Sequence, residues 1–375
     1  MPPNSPAPSI MFHHFLLHSF TLFSTLLLII SHSHIVSETT QLSPPATKIN
    51  ITNHNLRSFN NAARGTKITG ISQFKRYLSR FGYLPRNHHN NFTDEFDAAF
   101  ESALIRYQQK LGLQVTGKLD SKTVSQMITP RCGVPDTTTT RTTHTSHSHL
   151  NNITQHFVYF PGKPRWSRDR PMRLTYAFSR EYTIHTLTHH EIRRVFKRAF
   201  SRWALVIPVS FAESADYDFA DIRIGFYSGD HGDGEPFDGV LGVLAHSFSP
   251  EIGRLHLDAA ETWAVDFAAM KSLVAVDLES VATHEIGHLL GLSHSSVKEA
   301  VMYPSLRPRD KRADLNIDDV KGVQSLYGLN RNFRSQWALE SVMSVNHGVK
   351  FGGKAFMLVT ALIIVTSSII LRFQC

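Results

Sequence analysis

The chain has 375 residues, 42% of them hydrophobic, with 39 Lys and Arg against 31 Asp and Glu for a formal net charge of +8. That is room for two modest domains plus tails, and the basic residues are scattered along the chain, which argues against a nucleic-acid partner and for an acidic wall or matrix surface. Two cysteines, Cys132 and Cys375, cannot build a multi-bridge disulfide framework.

In chain order, Phe15 to Ile30 is apolar and almost uncharged, and a polar Ser/His/Thr stretch follows. Residues 1–37 therefore read as a secretory signal, although the preceding segment is poor in Lys and Arg, and an uncleaved signal anchor is the alternative. Residues 38–65 are a polar, flexible lead-in. From Ile68 to Met127 the pattern is helical, most clearly at Phe96, Ala99, Phe100, Ala103, Leu104, Tyr107, Gln108 and Leu111, with offsets of three and four. A compact helical domain over 66–136 is expected. Pro130-Arg131-Cys132-Gly133-Val134-Pro135-Asp136 closes it with a rigid Pro and a flexible Gly, as suits an extended segment laid along a groove.

Residues 137–155 are rich in Thr and His and cannot form a core, so they read as an exposed, cleavable linker, with metal storage by the histidines as a lesser reading. From 156 to 329 the chain reads as mixed α and β: Leu174–Phe178 and Ile222–Phe226 alternate like strands, and His190–Trp203 has helical spacing. Ser228 to Trp263 is rich in Gly, Asp and His and poor in periodic pattern, which bound metal ions explain better than an ordinary loop does.

The chemistry is concentrated in His284-Glu285-Ile286-Gly287-His288-Leu289-Leu290-Gly291-Leu292-Ser293-His294 and the later Met302-Tyr303-Pro304. On a helix His284 and His288 share one face and can close on one zinc, while Glu285 sits one position round, placed to act as a base on a water there. Gly291 can take the left-handed conformation that ends a helix, so that His294 swings back as third ligand. Three imidazoles leave a fourth position open, as a catalytic zinc requires. If Cys132, the thiol left alone in an exported chain, fills that position, the enzyme is latent.

Ala355 to Leu371 is a 17-residue apolar run followed by only four residues, with Ser344, Asn346 and Gly348 upstream. This is the layout of a glycosylphosphatidylinositol attachment signal, with residues 330–354 holding the attachment point at Ser344 or Asn346 and 355–375 removed; a retained single span is the alternative. Asn50, Asn91 and Asn152 each begin an Asn-x-Thr sequon and are glycan sites if the chain is exported.

The Pro130–Asp136 heptapeptide, the His284–His294 motif and the Met302 turn together resemble the matrix metalloproteinases, in their plant type, over about residues 66–329. The resemblance implies an α+β metzincin catalytic domain, a twisted mixed sheet with few helices. The domain ahead of it is similar to peptidoglycan-binding-like helical domains, carried by Leu111 to Asp120 with Thr123. The heptapeptide becomes a cysteine switch, and His156 to Gly162 resembles the mature amino-terminal region. It further implies a structural zinc on His231, Asp233, His246 and His256, and at least one calcium on Asp238, Asp258 and Glu261 with the carbonyls of Gly239, Leu241 and Val243. Asp221 matches a second calcium site, but Arg254 stands where an Asp is usual, so that site is not expected.

Substrate is expected to lie along an edge strand within Val240–Phe248, and selectivity to come from a pocket walled by Pro304-Ser305-Leu306, where Leu306 replaces a frequent Tyr. No propeller-type binding domain is expected, since about 25 residues separate Leu329 from the apolar tail. The expected function is a secreted, latent zinc endopeptidase acting on proteins of the extracellular or cell-wall space, held on the outer leaflet of the plasma membrane by a lipid anchor. A cell-surface glycan-binding protein with a merely structural zinc is the rival reading, and Glu285 argues against it because a structural site needs no base.

Overall fold

The structure is a computed structural model that describes residues 49, 59, 62–85, 91–137 and 156–332. The expected signal segment, nearly all of the expected lead-in, residues 138–155 of the expected linker and the residues after 332 lie outside the described residues, and with them Asn50, Asn152, Ser344 and Asn346. No helix among the described residues is long and apolar enough to cross a membrane.

Among the described residues, the first domain is built on α1 (Ile71–Arg80), α2 (Ala98–Lys110) and α3 (Ser121–Met127). The Asp97 side chain caps α2 by accepting from the Phe100 N–H, and Asp120 caps α3 by accepting from Thr123, so each acid fills the electropositive start of its helix. The expected stripe is buried at Phe96, Phe100, Ala103, Leu104, Tyr107, Gln108 and Leu111. Ala99 is the exception. It faces solvent, because Phe96 lies before the helix and the buried face begins at Phe100. Buried Gln108 donates to Thr116, Lys118 and Thr123 and accepts from the Thr116 and Gly117 N–H groups, which satisfies its amide inside an apolar core.

The larger domain carries a six-stranded sheet in the order β1-β6-β7-β5-β3-β4, with β1 (Arg131–Cys132), β3 (Met172–Phe178), β4 (Val209–Glu213), β5 (Ile222–Tyr227), β6 (Val243–Ser247) and β7 (Arg254–Asp258). Only β6 and β7 pair antiparallel; the other neighbours run parallel. Three short strands, β2 (Val158–Tyr159), β8 (Trp263–Ala264) and β9 (Val276–Asp277), and a fourth, β10 (Leu292–Ser293), form two separate pairs. Helix α4 (His189–Val206) opens on a Thr188/Glu191 capping box and lays Phe196, Phe200 and Trp203 against the sheet. The Trp203 indole donates to the Thr283 carbonyl of α5 (Leu278–Leu289), which ties the two helices together. Helix α6 (Ile317–Tyr327) follows the site.

Two central strands, β6 and β7, lie inside the stretch expected to be poor in regular structure. Every β6 residue is buried and only Arg254 of β7 is exposed, so neither strand shows the alternation that marks a half-buried one. Their antiparallel register sets His246 opposite His256 and so points both imidazoles to the same face. The apolar cores of the two domains meet where Phe237 and Val243 join the cluster of the helical domain.

Candidate metal centre and substrate cleft

Helix α5 starts at Asp277, whose side chain accepts from the Ser280 N–H, and all twelve of its residues are buried. His284 and His288 stand one turn apart on it. The Nδ1 of His284 lies 2.6 Å from the Val301 carbonyl and that of His288 lies 2.8 Å from the Leu292 carbonyl. A carbonyl only accepts, so both Nδ1 atoms carry the proton and both Nε2 lone pairs face inward. After the helix, Gly291 adopts φ 103°, and a Cβ there would lie 2.2 Å from the Pro164 carbonyl oxygen. Only glycine fits this bend, which returns His294 to the helix face.

The three Nε2 atoms lie 3.1, 3.2 and 3.3 Å apart, and the Cys132 Sγ is 3.4 Å from that of His288. Inward lone pairs at such distances repel unless a cation stands among them. A tetrahedral zinc about 2.0–2.3 Å from each ligand needs ligand atoms about 3.3–3.5 Å apart, so Cys132, His284, His288 and His294 fit it as a four-ligand set. Burial keeps the imidazoles neutral, as a ligand must be: it holds His284 and His288 well below the ordinary value and His294 down to about 4. Burial and the Glu285 carboxylate push the Cys132 thiol up, and a cation at the centre acts in the opposite sense.

Glu285 is fully buried, and neither carboxylate oxygen has a hydrogen-bond partner of ordinary geometry among the described residues. Burial pushes it up to about 7, against the lowering pull of the Cys132 thiol and the Ser247 hydroxyl. The Met302 turn lies close against α5: a Cβ on Gly287 would meet the Met302 sulfur at 2.2 Å. Asp319 of α6 holds that turn by accepting from the Val301 and Met302 N–H groups at 2.8 and 3.0 Å. Sequence reasoning missed Asp319. Its only local signal is the capping pattern Asn316 to Asp319, which says nothing of the turn it reaches.

The heptapeptide enters this centre as β1, wedged between β6 and the segment 304–306. Arg131 N–H donates to the Gly242 carbonyl, Cys132 N–H to Pro304 and Gly133 N–H to Ala245, while Leu306 N–H donates back to Pro130. A Cβ on Gly133 would come within 2.7 Å of Val243, so glycine lets the chain lie flat on β6. The edge expected for substrate is therefore covered by β1. Buried Arg131 and Asp136 pair at 2.6 Å, and the guanidinium lies 3.6 Å over the Phe81 ring. Asp136 also accepts from Tyr83 at 2.8 Å and pairs with His294 Nδ1 at 2.7 Å. Burial alone would raise its pKa, but Arg131 and His294 outweigh that and hold it well below the carboxylate range. The contact of Asp136 with His294 spans 158 residues and has no local sequence signal.

A second cluster forms on β6, β7 and the loop before them. The Asp233 Oδ2 lies 2.8 Å from His231 Nε2, 2.7 Å from His246 Nε2 and 2.9 Å from His256 Nδ1. All four ligand atoms converge, as in a closed zinc site, with His256 alone using Nδ1. Nearby, Gly239 N–H donates to Asp258, Leu241 N–H to Glu261 and Val243 N–H to Asp238, which gathers the three acids expected for calcium around this turn. Burial and the neighbouring acids push Asp258 up to about 6 and Glu261 up to about 8. Such crowding of carboxylates is what a bound divalent cation relieves. Asp221 instead accepts from the Thr175 N–H and hydroxyl at 2.8 Å, while Arg254 is exposed. Of the sequons only Asn91 is described, and it is exposed.

Beside Glu285 a narrow cavity of about 20 Å³ opens next to Cys132 and runs between α5 and the 304–306 wall, lined by Leu244, Val281, Val301, Tyr303, Leu306 and Arg312.

The Matrixin family model matches residues 165–328, and a putative peptidoglycan binding domain matches residues 69–127. The metalloendoproteinase 4-MMP of Arabidopsis thaliana is 60% identical over 278 residues, covering 74% of this chain and 78% of that protein. The chain belongs to the matrixin family. Metalloendoproteinase 1-MMP of the same plant is 52% identical over 83% of the chain and 84% of its own length. Human neutrophil collagenase is 38% identical over 68% of the chain, which spans half of that relative. This matrixin is of the plant type: a zinc metalloendopeptidase with a mixed-sheet catalytic domain behind a helical peptidoglycan-binding-like domain, and its family uses catalytic zinc, structural zinc and calcium.

Proposed function

We propose that the protein is a secreted, latent endopeptidase in which His284, His288 and His294 hold the catalytic zinc, Glu285 is the base, and Cys132 blocks the open position until the domain over 66–136 is removed. The observation that carries this reading is the ring of four ligand atoms in which the Cys132 sulfur lies 3.4 Å from His288 Nε2 beside the fully buried Glu285. Zinc bound there supplies Lewis-acid polarisation of a carbonyl and acidifies a water. Glu285 takes the water proton, its carboxylate lying in the buried centre beside the ligand ring. The same carboxylate then returns the proton to the departing amine. Main-chain acceptors on Gly242, Ala245 and Pro304, which hold β1 in the latent state, become free to hold an extended peptide.

The same reading assigns His231, Asp233, His246 and His256 to the structural zinc, and Asp238, Asp258 and Glu261 with the carbonyls of Gly239, Leu241 and Val243 to calcium. Residues 137–155 are then the segment cut on activation, with the catalytic unit over 156–329. Releasing the first domain from purified full-length protein by limited proteolysis should produce hydrolysis of a broad peptide library. A zinc chelator should abolish it and added zinc restore it, whereas chelator-resistant cleavage would refute the reading.

Export follows from the apolar stretch Phe15 to Ile30, and carries glycans to Asn50, Asn91 and Asn152. The apolar run Ala355 to Leu371 supports a lipid anchor attached at Ser344 or Asn346. A phosphatidylinositol-specific phospholipase should then release the protein from membranes. Detergent-only extraction of a form that still contains Cys375 would identify a spanning helix instead.

A further inference from the structure

A larger cavity, of about 300 Å³, lies away from the metal centre, where the parallel strands β4, β3 and β5 end and α4 begins. None of its lining residues belongs to β6, α5, the 304–306 wall or the helical domain. Crevices at the carboxyl ends of parallel strands are where such sheets most often hold ligands. Phe178, Phe226 and Ile192 give this one an apolar lining, and the loop from β3 to α4 adds Arg180 and Tyr182. That loop is pinned. The Tyr182 N–H donates to the Ser179 hydroxyl at 2.9 Å, the Tyr182 carbonyl accepts from the Phe226 N–H at 3.0 Å, and the ring stacks on Tyr227 with centroids 4.5 Å apart. With that contact made, Tyr182 is still 44% exposed. Arg180 has no hydrogen bond or ion pair among the described residues. Arg193 Nε donates to Glu213 at 2.7 Å, which engages one carboxylate oxygen and leaves the other, and the terminal guanidinium nitrogens, without a hydrogen-bond partner among the described residues. The lining therefore combines an open aromatic ring, a cation without a counter-charge and a carboxylate that can still accept.

We propose that this cavity is a second binding site, for a hexuronate unit of an acidic glycan. It does not depend on the reading of Glu285 as the base. The sugar carboxylate pairs with Arg180, ring hydroxyls donate to the second oxygen of Glu213 and accept from Arg193, and the C–H face of the sugar lies on Tyr182. Each group of the lining then excludes a simpler ligand. A neutral hexose leaves Arg180 without its anion, and an aliphatic or aromatic monocarboxylate brings no donors for Glu213. Inorganic phosphate has no apolar face to set against the ring. The volume lies at the low end of the range of about 300–1,000 Å³ typical of small-molecule sites, which suits a single sugar unit.

The test titrates the full-length protein by calorimetry at low salt with galacturonic acid, its trimer, the methyl-esterified trimer and a galactose trimer. The acid trimer should bind with a Kd of about 1 mM or tighter and more weakly as salt is raised, with the monomer binding less tightly. Esterification keeps the shape and removes the charge, so it should weaken binding at least about tenfold, and the galactose trimer should behave like the ester. Arg180→Ala and Tyr182→Ala should each weaken binding by about five- to tenfold. Lys321→Ala, which removes an exposed cation of α6 outside the cavity, should change nothing. Equal losses in the Lys321 and Arg180 variants would reveal diffuse attraction of a polyanion to a basic chain and overturn the site. Equal binding of acid and ester by the unmodified protein overturns it without any variant, as does a glutamate-rich peptide that binds as tightly as the acid trimer, or no binding of that trimer at all. Release of the first domain should leave the affinity unchanged, because none of its residues lines the cavity. A trimer that binds only after that release sits in the catalytic cleft, which also refutes the proposal.

Discussion

Glu285→Ala should lower kcat/KM of the activated enzyme by about two to four orders of magnitude while zinc content and fold remain, because the side chain is a base and not one of the converging ligand atoms. The imidazole nitrogens keep their own supports in this variant: carbonyls of Val301 and Leu292 fix His284 and His288 independently of Glu285. Thermal stability should hold or rise, since the substitution removes a fully buried carboxylate that lacks a hydrogen-bond partner of ordinary geometry. Glu285→Gln is the stricter variant, as it keeps the volume and loses only the proton acceptor. Steady-state kinetics and metal analysis on the same preparations separate the two effects. Turnover near that of the unmodified enzyme would mean that another group takes the proton, and loss of zinc with activity would mean that Glu285 serves the metal site itself.

The catalytic centre was legible because its geometry is nearly local. Two imidazoles four residues apart need only a helix, and the third needs one glycine, so His284, His288, Gly291 and His294 announce themselves by spacing alone. The structural cluster is a different case: His246 and His256 meet only because β6 and β7 pair antiparallel, and both strands are too deeply buried to show alternation. Residue types there suggested metal, but the grouping came from resemblance. Least legible were partners fixed by the tertiary fold. Asp136 reaches His294 and Asp319 reaches the Met302 turn, both across separations that no periodicity encodes. The helical domain was legible as a stripe, with Ala99 misplaced because helix offsets alone do not say which side of an edge position is covered.

Cys132→Ser should make full-length protein hydrolyse peptides without processing, at a rate at least about tenfold above that of the unmodified latent form. A serine hydroxyl stays protonated and is a far weaker zinc ligand than a thiolate, so water can compete for the position the sulfur holds 3.4 Å from His288. What opposes opening is everything else that keeps β1 in the cleft: its backbone bonds to Gly242, Ala245 and Pro304, the buried Arg131–Asp136 pair, Lys110 on the His294 carbonyl and Gln126 on Ser305. Net contributions of about 1 kcal/mol for each neutral hydrogen bond could keep the segment seated even after the sulfur is gone. Combining Cys132→Ser with Asp136→Ala separates these effects, because it also leaves Arg131 buried without its carboxylate, a state that costs about 3–5 kcal/mol. If the single variant is active, the thiol is the lock; if only the double variant is, the lock is the charge pair and the strand it braces. A requirement for cleavage that neither variant relieves would show that the helical domain blocks the cleft by bulk alone and that the thiol is incidental.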